Sequence, residues 1–155
     1  MHVNWKKLLI CLALPLAVGG LGALLGGGMD QYQVLNQPPL SPPGWIFPIV
    51  WTILYLLMGY ASYRVLTADA PRADRKKALT FYGIQLFLNF LWPALFFGLG
   101  WFWAAFVLLL ALWVMIYLTM HLFGLIDDTA ENLLIPYLLW VTFAGYLNLG
   151  VALLN

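Results

Sequence analysis

Five times along this chain an apolar run of about 20 residues passes with charge only near its ends, and that is the length of helix needed to cross a bilayer. Hydrocarbon offers no water to satisfy backbone N–H and C=O groups, so a run of this kind closes its own hydrogen bonds as a helix. The runs read as Trp5 to Gly26, Ile46 to Leu66, Ala78 to Gly98, Trp101 to Phe123 and Asn132 to Leu153. Little remains between them in 155 residues, of which 64% are hydrophobic and 8% charged. The expected fold is an all-α membrane protein, a five-transmembrane-helix bundle forming one domain over residues 1–155.

The first run follows Lys6 and Lys7 and could be taken for a signal peptide, but it exceeds the roughly 7 to 15 apolar residues of an h-region and no small-residue cleavage site follows. It is expected to be a retained span. Cys11 lies inside it as the single cysteine, which excludes a disulfide framework and leaves a packing role. With five spans, the amino terminus shares a side with the second and fourth connections. All seven basic residues (Lys6, Lys7, Arg64, Arg72, Arg75, Lys76, Lys77) then fall on that side. The positive-inside rule makes it cytoplasmic in a bacterial cell membrane, with the first loop and the carboxyl terminus outside. Asp69 and Asp74 interleave with the basic second connection, so orientation accounts for its charge and no nucleic-acid partner is expected.

Polar side chains within a span are costly unless paired or facing a cavity, and here they are few. Gln85, Asn89 and Trp92 share one face of the third span at i, i+4, i+7, beside Pro93, which frees a backbone carbonyl one turn earlier. Trp140, Ala144 and Leu147 make a second such face in the fifth span with Asn148 adjoining, and the second span adds Trp51 and Tyr55. At 1.5 Å per residue, Trp51, Asn148 and Trp92 lie about 8 to 9 Å below the outer helix ends and Asn89 about 14 Å, one layer with Trp140 as a deeper floor. That layer describes a mostly apolar small-molecule pocket holding a few donors and acceptors, opening toward the loop "LNQPPLSPP". Prolines fix φ and lower the entropy lost on ordering, so such a loop can keep a shape as a lid.

Other residues have simpler readings. Trp5, Trp45, Trp101 and Trp103 at span ends are interfacial anchors, and Trp113 suits plain helix packing. Gln85 and Asn89 could equally serve as interhelical hydrogen bonds. Asp127, Asp128 and Glu131 precede the fifth span, where carboxylates favour the positive end of a helix. Gly22 and Gly26 form a small-xxx-small pair that lets a second backbone approach, within the chain or across a dimer. His, Cys and carboxylates do not cluster at metal-ligand spacing, there is no Ser-His-Asp or phosphate-loop arrangement, and His121 sits far from the pocket layer.

The segments "YQVLNQPPLSPPGWIFPIVWTILYLLMGYAS", "FYGIQLFLNFLW" and "LLIPYLLWVTFAGYLN" resemble the translocator protein family, also called TspO/MBR or tryptophan-rich sensory proteins, over nearly the whole chain. The resemblance implies a five-helix bundle, commonly a homodimer, binding a porphyrin- or haem-type tetrapyrrole or a sterol-like molecule under the first loop, with no required cofactor or metal. It places the binding site at Tyr32, Pro42, Trp51, Tyr55, Asn89, Trp92, Trp140, Ala144 and Leu147, beside the adjoining Asn148. The family often has Trp where this chain has Gln31, Lys where it has Gln37 and Trp where it has Leu40. Without that lysine, porphyrin propionates would depend on neutral donors such as Gln33, Asn36, Gln37 and Trp45. The usual sterol pattern lacks its basic residue after Tyr146; Leu57, Tyr60 and Arg64 fit it loosely elsewhere.

Two functions follow as expectations: a receptor or carrier for planar apolar ligands, or an enzyme promoting light-dependent oxidative porphyrin breakdown with Trp51 and Trp140 taking part. Indoles and carboxamides offer stacking and orientation but no general acid or base with a usable pKa, which favours binding.

Overall fold

The computed structural model describes residues 3–26, 32 and 34–155. Gln31 and Gln33, singled out from the sequence, lie outside them. Among the described residues, five helical spans are long and apolar enough to cross a membrane. In chain order the described helices are α1 (Trp5–Leu25), α2 (Ile46–Leu66), α3 (Arg72–Pro93), α4 (Phe102–Gly124), α5 (Asp128–Leu133) and α6 (Ile135–Leu154).

Helix ends fall where local chemistry places them. The Asn4 side chain caps α1 by accepting from the Lys7 amide at 3.1 Å, and Asp127 caps α5 by accepting from the Thr129 amide at 3.0 Å. Pro136 lacks an N–H and its ring crowds the turn before it, so the fifth span breaks at Leu134 into α5 and α6. The third span begins at Arg72, earlier than the apolar run at Ala78 suggests, because helix formation continues out of the apolar region through residues that only a bilayer would exclude. Pro93 leaves the carbonyl of Asn89 without its helical donor, and a π-helical turn follows at Ala94–Gly98, with the Leu99 amide donating to the Ala94 carbonyl at 2.9 Å.

The helices pack in a ring: α1 lies on α2 and α3, α3 on α4, and α4 on α6, while α5 wedges between α2 and α4. Met58, Ala61, Leu112, Ile116, Phe123, Tyr137 and Val141 form the dry centre. Small residues set the close approaches. A Cβ on Gly22 or Gly26 would sit 3.1 Å from the Phe90 or Pro93 carbonyl of α3, so this pair faces a helix of the same chain. On Gly59 of α2 it would sit 2.6 Å from the Cys11 carbonyl of α1. At the basic end Arg64 pairs with Asp127 at 2.7 Å, which ties α2 to the connection before α5. Trp5, Trp45, Trp101 and Trp103 are all exposed at helix ends, as anchors would be.

Candidate ligand-binding site

The first loop is fastened to the bundle at several points. Asn155 donates to the Asn36 carbonyl at 2.8 Å and accepts from the Asn36 amide at 3.1 Å, while Tyr146 Oη donates to the Pro39 carbonyl at 2.6 Å. Within the loop, Gln37 Nε2 donates to the Tyr32 carbonyl at 2.6 Å, and Tyr32 Oη donates to the Pro42 carbonyl at 3.0 Å. Burial pushes the Tyr32 hydroxyl above its ordinary pKa, so it remains a proton donor in this bond. Leu40, where the family often has Trp, is exposed with φ of 70°, and Trp45 is exposed. The Asn36 side-chain amide donates to the Leu154 carbonyl at 3.3 Å. Two of the neutral donors expected to meet an anionic ligand, Asn36 and Gln37, therefore hold the loop together.

Two spaces share a partition of rings, and Tyr32 of the loop lines the smaller one. A cavity of about 300 Å³ is bounded by Leu16, Gly19, Gly20 and Ala23 of α1, by Trp51 and Tyr55 with neighbouring residues of α2, and by Asn89, Trp92 and Pro93 of α3. On the other side Tyr32, Trp140, Ala144, Leu147 and Asn148 enclose a space of about 20 Å³. Phe47, Trp51, Trp92 and Phe97 line both. The sequence reading put the pocket among the second, third and fifth spans. The larger of the two lies against α1, because bulky rings fill the α6 side while Gly20 and Ala23 carry little side chain on the α1 side and Gly19 admits the Tyr55 ring. These α1 residues were not read as a site, although Leu16, Gly19, Gly20 and Ala23 are spaced i, i+3, i+4, i+7.

Of the residues named from sequence, Trp51, Tyr55, Asn89 and Trp92 line the larger cavity. Tyr32, Trp140, Ala144, Leu147 and Asn148 line the narrow space together with Trp51 and Trp92. Pro42 lines neither, and acts through its carbonyl to hold Tyr32. Trp140 is less a deep floor than a wall, with its ring 5.8 Å from that of Phe47 in the first turn of α2.

The carboxamides lock the walls. Trp92 Nε1 donates to Asn148 Oδ1 at 2.9 Å, and Asn148 Nδ2 donates to the Phe102 carbonyl at 2.9 Å. Tyr55 Oη donates to Asn89 Oδ1 at 2.9 Å, Asn89 Nδ2 donates to Tyr137 Oη at 2.7 Å, and Tyr137 Oη donates to Gln85 Oε1 at 2.7 Å. Tyr137 is thus a hub that sequence reasoning did not identify as such. Its ring also meets Trp51 edge-on at 6.2 Å, and Trp51 stacks on Tyr55 at 5.5 Å. Each of the two carboxamides gives one N–H and one oxygen contact to protein partners, which fixes its orientation while it still borders its space. Trp140 Nε1 is a buried donor without a partner among the described residues. No group of His, Cys, Asp and Glu among the described residues could hold a metal ion. The loosely sterol-like Tyr60 and Arg64 interact with each other, and Arg64 is also held by Asp127.

A family model described as the TspO/MBR family matches residues 11–154. The chain is 40% identical to the tryptophan-rich protein TspO of Chlorobaculum tepidum, over 100% of this chain and 99% of that protein. It is 38% identical to the tryptophan-rich sensory protein of Cereibacter sphaeroides, over 100% of this chain and 95% of the relative. With the translocator protein of Bos taurus the identity is 40%, over 87% and 82% respectively.

Proposed function

The chain belongs to the TspO/MBR family of multi-pass integral membrane proteins, and we propose that it is a receptor or carrier for a planar apolar ligand, a tetrapyrrole foremost. The observation that carries this reading is the cavity of about 300 Å³ faced by Trp51, Tyr55, Trp92 and Phe97 on one side and by glycines of α1 on the other. Flat rings opposite a surface with little side chain suit a flat ligand. Its volume is at the lower end of the roughly 300 to 1,000 Å³ of small-molecule sites. A macrocycle would engage the narrow space as well, by displacing the shared rings Phe47, Trp51, Trp92 and Phe97. Tyr32 of the loop lies edge-on to Phe47 at 5.0 Å, which supports a lid role for the loop, and charge asymmetry supports placing it on the side away from the cytoplasm.

Among the described residues, those lining the two spaces include no charged side chain. Recognition is therefore by stacking and shape, and protoporphyrin dimethyl ester should bind within about threefold of the free acid, since no charge-assisted bond is at stake. Gly20 supplies a variant at the exposed edge of the cavity, where the residue lines the space and a Cβ placed there meets nothing within 4 Å. Gly20→Phe should fold normally and lose the quenching of tryptophan fluorescence by protoporphyrin. Unchanged quenching would refute the site. The same mixture, kept in light and in darkness, tests the enzymatic alternative: a bilin-like absorbance that Trp51→Phe or Trp140→Phe abolishes would establish breakdown in place of simple binding.

A further inference from the structure

We propose that the basic end of the bundle holds a site for one anionic phospholipid, in the groove between the last turn of α2 and the first turns of α3. The groove has a volume of about 490 Å³ and is lined by Leu66, Arg72, Arg75, Lys76, Leu79 and Thr80. At 100° per residue, Arg72, Arg75, Lys76 and Leu79 form one stripe of α3, while Asp74 turns away from it. The stripe is cationic at one end and apolar at the other, with Leu79 about 10 Å along the axis from Arg72. Leu66 of α2 joins it at the groove.

The boundary between water and hydrocarbon falls within this interval. The apolar run of the third span starts at Ala78, whereas the helix starts at Arg72, so its first turns stand at headgroup level. A ligand that fits must carry negative charge toward Arg72 and Lys76 and hydrocarbon toward Leu66 and Leu79. An anionic phospholipid does both.

The cations have different tasks. Arg75 donates from Nη1 to the Leu66 carbonyl at 2.9 Å and from Nε to the Ala70 carbonyl at 3.1 Å, which braces the connection that forms the groove's edge. Arg72 and Lys76 are exposed and have no ion-pair partner among the described residues, where the single ion pair is Arg64 with Asp127. Basic residues at a membrane surface attract anionic lipid diffusely. Two unpaired cations one helical turn apart, beside an apolar cleft with a braced edge, localise one molecule.

The test is native mass spectrometry of the full chain in neutral detergent, titrated with phosphatidylglycerol, phosphatidylcholine or inorganic phosphate. Wild type should retain one phosphatidylglycerol in preference to phosphatidylcholine. Arg72→Gln with Lys76→Gln should weaken it about 30-fold, from about fivefold for each interfacial cation removed. Lys6→Gln with Lys7→Gln, an equal charge change at the same end but outside the groove, should weaken it by less than about threefold through screened fields. Arg72→Gln alone, expected at about fivefold, serves if the double variant folds poorly. Equal weakening by the two double variants would show diffuse attraction only and overturn the site. So would retention of phosphatidylcholine as strong as that of phosphatidylglycerol, or inorganic phosphate displacing the lipid at equal concentration.

Discussion

Gly59→Ala is the sharpest test of how the bundle is held together. A methyl at this position of α2 would lie 2.6 Å from the carbonyl oxygen of Cys11, 3.0 Å from Cα of Leu12 and 3.3 Å from the carbonyl carbon of Cys11. All three atoms belong to the backbone of α1, so no side chain can turn aside. The closest of them falls about 0.8 Å short of the 3.4 Å at which ordinary contact begins, and α1 must move off α2 by a comparable amount. Overpacking of this kind costs about 1 to 3 kcal/mol. At about 1.4 kcal/mol per decade that is a shift of roughly 5- to 150-fold in the folding equilibrium. The control is the same chemical change at Gly83, which is exposed on α3 and where a Cβ meets nothing within 4 Å. Gly83→Ala should fall between neutral and about 1 kcal/mol more stable, since helix propensity favours Ala and the denaturing detergent used as reference retains helix. Reversible unfolding of both variants in mixed micelles, followed by tryptophan fluorescence, gives the two midpoints. If Gly59→Ala unfolds at the same detergent fraction as Gly83→Ala, the claim that backbone proximity between α1 and α2 limits stability is wrong.

Trp92→Phe removes the indole N–H that Asn148 accepts and should cost about 0.6 kcal/mol, the average for hydrogen bonds in a membrane protein, and no more than about 1.7 kcal/mol. Trp140→Phe, which removes a donor that has no partner among the described residues, should cost less in the same unfolding assay. Asp127→Asn keeps an oxygen for the α5 cap and gives up only the charge paired with Arg64, a partly exposed interaction worth about 0 to 1 kcal/mol. Asp127→Ala loses the cap too, a further ~1 kcal/mol, so equal midpoints for the two variants would remove the cap from the account. Tyr146→Phe cuts the bond to the Pro39 carbonyl. Amide exchange around Ser41 should then quicken about fivefold, from roughly 1 kcal/mol of lost closure, with no change in global unfolding.

Many of the side chains that border the two spaces were visible in the sequence, but their layout was not. Trp51 and Trp92 border both spaces, Asn89 the larger and Asn148 the smaller, because helical spacing fixes which residues share a face and rise per residue fixes their depth. What their amides would do was not legible, since a carboxamide facing a cavity and one bonded to a neighbouring ring have the same spacing. Asn89 proves to link Tyr55 to Tyr137, and Asn148 to hold Trp92. The role of α1 was hidden for a related reason. Its glycines signal close approach, but Gly22 and Gly26 face the backbone of α3 while Gly20, on the neighbouring face, borders empty space.

By itself the sequence determined the number of spans, their helical state, and the gathering of the cations at one end. Hydrocarbon forbids an unpaired backbone and charge is costly to bury, so these features follow from runs of residue types without knowledge of any contact. Only the tertiary structure decided which apolar face meets lipid and which meets protein, and hence where the cavity opens. Lipid tails are as apolar as leucine, so hydropathy does not distinguish the two faces; close packing and hydrogen bonds between helices make that choice.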